Sequence, residues 1–83
     1  MEFHVGTSPF GHWCIIEDGL INSWMAAYML GLEESEYTRI LCEEYGGEDS
    51  PFGIIFKTEL RARRALDEFI MPRAVMIMLG GKL

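Results

Sequence analysis

Glu36-Tyr37-Thr38-Arg39-Ile40-Leu41-Cys42-Glu43-Glu44 decides the fold, because its apolar residues satisfy two periods at once. Tyr37, Ile40, Leu41 and, one residue further on, Tyr45 fall at the spacing of a helical stripe. Thr38, Ile40 and Cys42 equally fall on one face of a strand. A repeat elsewhere in the chain tips the reading to strand.

That repeat is Ser8-Pro9-Phe10-Gly11, which recurs as Ser50-Pro51-Phe52-Gly53 at an offset of 42 residues, about half the chain. Each copy runs into an apolar segment, Trp13-Cys14-Ile15-Ile16 and then Ile54-Ile55-Phe56. Each segment leads to acidic residues and a helical pattern, which reads as a duplicated unit. The duplication leaves a strand-sized slot at residues 36–44.

Outward from that slot the elements follow. His12–Glu17 reads as a strand bounded by Gly11 and the Asp18-Gly19 turn signal. Leu20–Leu30 reads as a helix, with Leu20, Ile21, Trp24, Met25, Tyr28 and Met29 on its apolar face and Gly31 as a left-handed cap. Gly46-Gly47-Glu48-Asp49-Ser50-Pro51 reads as a turn-rich loop. Gly53–Lys57 is a strand. Thr58 caps a helix running to about Ile70, with Glu59 in its first turn. Pro72 ends that helix, and Ala74–Leu79 is a last apolar strand.

The order strand, helix, strand, strand, helix, strand is an α+β fold of the ferredoxin-like split βαβ kind (βαββαβ). It predicts an antiparallel sheet with two helices on one face and Glu2–Val5 as a short extra N-terminal strand. With residues 33–45 read as a helix, the alternative is a smaller sheet with three helices. Eighty-three residues make one domain, spanning 1–83, with a thin core. Trp13–Ile16, Ile54–Phe56 and Val75–Leu79 are apolar on both faces, more than one thin core uses. A second copy of the chain would cover the surplus, making a homodimer; the N-terminal segment Phe3–Phe10 folding across the sheet is the other cover.

The charge is uneven. The net charge is −6, yet residues 17–49 hold nine acids and one base, and residues 57–83 hold six bases and three acids. An acidic stretch repels phosphate, which argues against direct nucleic-acid binding through it. Arg61, Arg63 and Arg64 pair with acids at helical spacing (Glu59–Arg63, Arg63–Asp67, Arg64–Glu68), so they read as a self-neutralised helix face. The apolar runs are shorter than a membrane span, and the N-terminus has no secretory pattern. Two cysteines make no disulfide scaffold. These features predict a cytoplasmic protein with reduced thiols and no membrane contact.

No catalytic or cofactor motif stands out. His12, Cys14, His4 and Cys42 are ligand types that zinc accepts, but they lack the paired spacing of zinc sites, so no metal is expected. Neither cysteine sits where a thiolate would be favoured. Glu33-Glu34, Glu43-Glu44 and Asp67-Glu68 are adjacent acids on solvated segments, not a catalytic pair across a cleft. Gly46-Gly47 precedes acids and lacks the lysine of a phosphate-binding loop. An enzyme is the less favoured expectation.

The leading expectation is a protein-interaction module that engages a basic, nucleic-acid-handling surface of a partner. Glu33, Glu34, Glu36, Glu43, Glu44, Glu48 and Asp49 would carry the charge, and Trp24, Met25 and Tyr28 an apolar contact. In size, acidity and lack of motif the chain resembles phage-encoded inhibitors of host defence, including anti-CRISPR proteins. The alternatives are a dimeric ligand-binding or catalytic domain, with His4 or His12 as the polar group in an apolar pocket, and a self-associating assembly protein.

Overall fold

Each Ser-Pro-Phe-Gly turns a β-hairpin, and the two hairpins lie side by side in one sheet. The computed structural model describes residues 2–19, 21, 23–51 and 53–80. β1 (Phe3–Thr7) and β2 (Trp13–Glu17) pair antiparallel from Phe3↔Glu17 to Thr7↔Trp13. In the turn Gly11 N–H donates to Ser8 O at 2.9 Å, and Ser8 N–H to His12 O at 2.7 Å. Ser8 Oγ accepts from the Phe10 and His12 amides at 3.3 and 3.2 Å. Serine first, proline second and glycine fourth is the residue order a type I turn favours, and Gly11 takes φ 82°.

The second hairpin joins β3 (Gly47–Ser50) to β4 (Gly53–Phe56). Ser50 Oγ donates to Gly53 O at 2.6 Å, and Gly53 has φ 106°. It is one residue tighter than the first, since Ser50 faces Gly53 whereas Ser8 faces His12. Phe52 lies outside the described residues, as do Leu20, with which the first helix was expected to begin, and the tail 81–83.

The sheet order is β1-β2-β4-β3, joined at Trp13↔Phe56 and Cys14↔Ile55. Shifting β1 by 42 residues and β2 by 41 carries Thr7↔Trp13 onto Asp49↔Ile54 and Cys14 onto Ile55. The hairpins are therefore related by an approximate twofold at the Cys14–Ile55 pair. Phe3, Val5, Ile15, Glu17, Ile54 and Phe56 point to the helices; His4, Gly6, Cys14, Ile16 and Ile55 point to the other face.

The helices correct two expected strands. Residues 36–44 lie in α2 (Glu34–Tyr45), which follows α1 (Ser23–Met29). Tyr37 and Leu41, one turn apart, are 3% and 1% exposed. Burying both is what the helical period achieves, and Glu34 and Glu36 favour the positive end of the helix. The strand slot is filled instead by β3, four residues of the stretch read as a loop. There Gly47 has no room for a side chain, since a Cβ would sit 2.8 Å from Ile54 Cγ2 and 3.1 Å from the Leu41 carbonyl.

The second corrected strand is Ala74–Leu79. Thr58 does cap α3 (Glu59–Ala65), accepting from the Arg61 amide at 3.2 Å. The chain then makes a π-helical turn at Leu66–Ile70 and continues as α4 (Met71–Met78). Met71 N–H reaches back to Leu66 O, so the helix restarts there. Pro72 falls in the first turn of α4, directly after the π turn, with helical backbone on both sides of it. It continues the rod rather than ending it.

The molecule is thus α+β, with a four-stranded antiparallel sheet as expected. Its order is two strands, two helices, two strands and the helical rod. The split βαβ order is not what forms. The alternative named the helix over 33–45 but with a smaller sheet. Phe3–Thr7 is an edge strand in the sheet, not a cover across it. The core lies between sheet and helices, with Leu30, Leu41 and Ile70 fully enclosed. α2 packs over β3 and β4, while α3 and the π turn pack over the β1 side.

Candidate interaction surface

α1 buries Ala26 and Ala27, and Leu30 just after it is enclosed too, which sets Trp24 and Tyr28 on the outer side of the helix. They are 58% and 71% exposed, with ring centroids 6.2 Å apart and planes 16° from parallel. Met25 is half-buried beside them. Leu32 N–H donates to Ala27 O at 2.8 Å and Gly31 N–H to Tyr28 O at 3.1 Å, with Gly31 at φ 71°. This left-handed end turns the chain straight into α2, so the aromatic pair and the acidic start of α2 belong to one helical hairpin.

The seven acids expected to act together divide between two adjoining elements. Glu33 sits at the N-cap of α2 without a side-chain capping bond, and Glu34 and Glu36 are exposed in its first turn. Glu43 and Glu44 are exposed in the last turn, where no base accompanies them. Carboxylates there oppose the helix dipole and cost a few tenths of a kcal/mol to about 1 kcal/mol. Arg61 of α3 lies by this end of the helix, close enough to Gly46 that a Cβ there would sit 3.2 Å from its guanidinium. Glu36 and Glu43, two turns apart, share the outer face with Arg39, which pairs with Glu43 at 3.7 Å.

On β3, Glu48 pairs with Lys57 at 3.7 Å and Asp49 is exposed. Among the described residues Glu33, Glu34, Glu36 and Glu44 form no ion pair. The basic cluster is largely neutralised on its own helix, through Arg63–Glu59 at 3.6 Å and Arg64–Glu68 at 3.0 Å. The hydrogen bond from Arg64 holds Glu68 below the usual carboxylate range.

The surplus apolar surface expected at Val75–Leu79 is exposed, but on a helix rather than a strand. α4 exposes Val75, Met76 and Met78, Leu79 at its C-cap is exposed too, and Leu60 is exposed on α3. The assumed break at Pro72 hid the helix, not the apolar character of the segment. On the open face of the sheet the two Ser-Pro turns frame a shallow apolar groove of about 310 Å³, with Ile55 and His12 on its lining. Among the described residues a cavity between sheet and helices holds about 10 Å³, room for one water.

That small cavity has one polar side chain of note. Glu17 is 5% exposed, and its Oε1 has no hydrogen-bond partner among the described residues. Burial, then the neighbouring Asp18, pushes its carboxyl above the ordinary value. Tyr37 lines the same cavity, and burial followed by the Glu17 charge pushes its hydroxyl strongly up.

Cys14 and Cys42 are both free thiols, and burial raises the pKa of each. Among the described residues no three His, Cys, Asp or Glu side chains gather as metal ligands would. No described helix is long and apolar enough to cross a membrane. The chain matches no protein-family model, no curated protein and no solved structure.

Proposed function

We propose that this protein is an interaction module that binds a basic, nucleic-acid-handling surface of a partner protein through the helical hairpin α1–α2. Trp24 and Tyr28 form its apolar anchor. Glu33, Glu34 and Glu36, with Glu43, Glu44, Glu48 and Asp49 further along, form its acidic rim. The observation that carries the reading is the stacked, exposed Trp24–Tyr28 pair on a helix that turns straight into one beginning with unpaired, exposed carboxylates. Large aromatics dominate binding hot spots, and complementary charge steers the encounter. Blocking a nucleic-acid groove in this way would make the protein an inhibitor of the phage-encoded, anti-CRISPR kind. The reading sets it in the cytoplasm, that of the host if the source is viral, where both thiols stay reduced.

The test is capture from host extract with three baits: the wild type, Trp24→Ala/Tyr28→Ala, and a charge reversal of Glu33, Glu34 and Glu36. A partner kept by the wild type, lost by both variants and released by moderate salt supports the reading. Retention by both variants overturns it.

A further inference from the structure

The two edges of the sheet are unlike. β3 is four residues long, carries Glu48 and Asp49 and runs into Pro51. Shortness, charge and proline are the usual guards against pairing with another strand. The other edge, β1, is Phe3-His4-Val5-Gly6-Thr7, with no proline and no Lys, Arg, Asp or Glu.

The ends of the β1–β2 ladder fix which groups face outward. Ser8 N–H donates to His12 O, and Asp18 N–H donates to Glu2 O. Glu2, His4, Gly6 and Ser8 therefore turn their backbone groups toward β2. The alternation of an antiparallel ladder turns those of Phe3, Val5 and Thr7 away from the sheet. No hydrogen bond to these three outward pairs appears among the described residues.

We propose that β1 pairs antiparallel with β1 of a second copy, about a twofold axis at Val5, to make one continuous eight-stranded sheet. Val5 exchanges both of its hydrogen bonds with the second copy's Val5. Phe3 and Thr7 each exchange two with the second copy's Thr7 and Phe3. On the helix side Val5 meets Val5 and Phe3 meets Thr7, all apolar or β-branched contacts of the kind sheets favour. On the open side His4 meets Gly6, over which the Ile16 side chain lies, since a Cβ there would sit 2.5 Å from Ile16 Cδ1.

Charge selects the second copy's position. Two chains of net charge −6 repel, and docking through α2 or β3 would set carboxylates face to face. Docking through β1 puts the two β3 strands seven strand spacings apart, about 34 Å at about 4.8 Å each. The screening length at physiological salt is about 8 Å. The twofold closes, so assembly stops at two.

Light scattering across a concentration series, with amide exchange followed residue by residue, tests this. The wild type should reach twice the 9.5 kDa chain mass at high micromolar concentration. The Phe3, Val5 and Thr7 amides should gain protection as the dimer fills, while the His4 and Gly6 amides stay protected at every concentration. Val5→Pro removes an N–H that β2 does not use, so it should be monomeric with an unchanged circular dichroism spectrum. A wild type that stays monomeric overturns the proposal. So does a dimer that survives Val5→Pro, or wild-type Val5 exchange independent of concentration, a readout that stands even if the variant fails to fold. A monomer whose Val5 amide is protected only on adding a foreign extended peptide assigns the edge to another protein and overturns self-pairing.

Discussion

Arg73 Nε donates a 2.6 Å hydrogen bond to the carbonyl oxygen of Leu30, 43 residues back along the chain. Leu30 follows α1 and is itself fully buried, so its carbonyl has left the helix with little water to meet. Arg73 satisfies it from α4 and ties the aromatic-bearing helix to the rod. Arg73→Met keeps the apolar stem and removes the donor. It should cost about 1.5 to 3 kcal/mol, the range for a hydrogen bond to a charged group, read as a lower urea midpoint at unchanged slope.

Two adjacent glycines should respond unequally. Gly46 has φ 72° and tolerates alanine at about 1 kcal/mol of backbone strain. Gly47→Ala drives a methyl group against Ile54 and the Leu41 carbonyl, and should cost about 2 to 3 kcal/mol. Equal losses in thermal or urea unfolding would contradict the close approach of β3 to α2.

Glu17 gives stability a pH slope of known sign. Its folded pKa is raised above the ordinary 4.5, so the folded chain holds the proton more tightly than the unfolded one. The contribution of Glu17 to stability is then fully present in acid and declines as pH rises through 4.5 toward the folded value, levelling off above it. Glu17→Gln, neutral at every pH, should melt higher than the wild type at pH 7 and lose that slope. A variant that melts lower at pH 7 would refute the buried carboxyl group with its unbonded Oε1.

Trp24→Ala and Tyr28→Ala should change stability by no more than about 0.5 kcal/mol each, being surface replacements with a better helix former. Tyr37→Ala, by contrast, empties an enclosed site and should cost about 3 to 5 kcal/mol. This contrast separates loss of binding from loss of fold in the Trp24/Tyr28 variant.

The thiols should differ in kinetics. Cys42 is partly exposed, and burial and Asp49 push its pKa up, so alkylation at neutral pH should be slower than for a small thiol. Cys14 is fully enclosed and should react only on unfolding. Prompt labelling of Cys14 in the folded protein, read by mass spectrometry, would contradict its burial.

The strands β2 and β4, the Thr58 cap and the left-handed Gly31 were legible because local chemistry alone determines them. Residues 36–44 were not, since Ile40 serves both periods and only packing of Tyr37 and Leu41 against the sheet chooses. β3 hid because Glu48 and Asp49 are poor strand formers that an edge position tolerates. The acids of α2 were visible as a run, but their division between first and last turns depended on the helix. That Trp24 and Tyr28 face outward depended on which side of α1 the sheet covers. The repeated Ser-Pro-Phe-Gly was seen, and what it repeats is a hairpin rather than a strand–helix–strand unit.

The π turn at Leu66–Ile70 holds one residue more than an α-helical turn would. Loss of a single codon there would regularise the rod and rotate everything beyond it by about 100°. Val75 would move into the place Ala74 now fills against the core, and Met76 and Ile77 would inherit the outer stripe. The outer character of α4 is thus written partly as a count, and one in-frame deletion would give selection a different surface without altering any residue exposed on it.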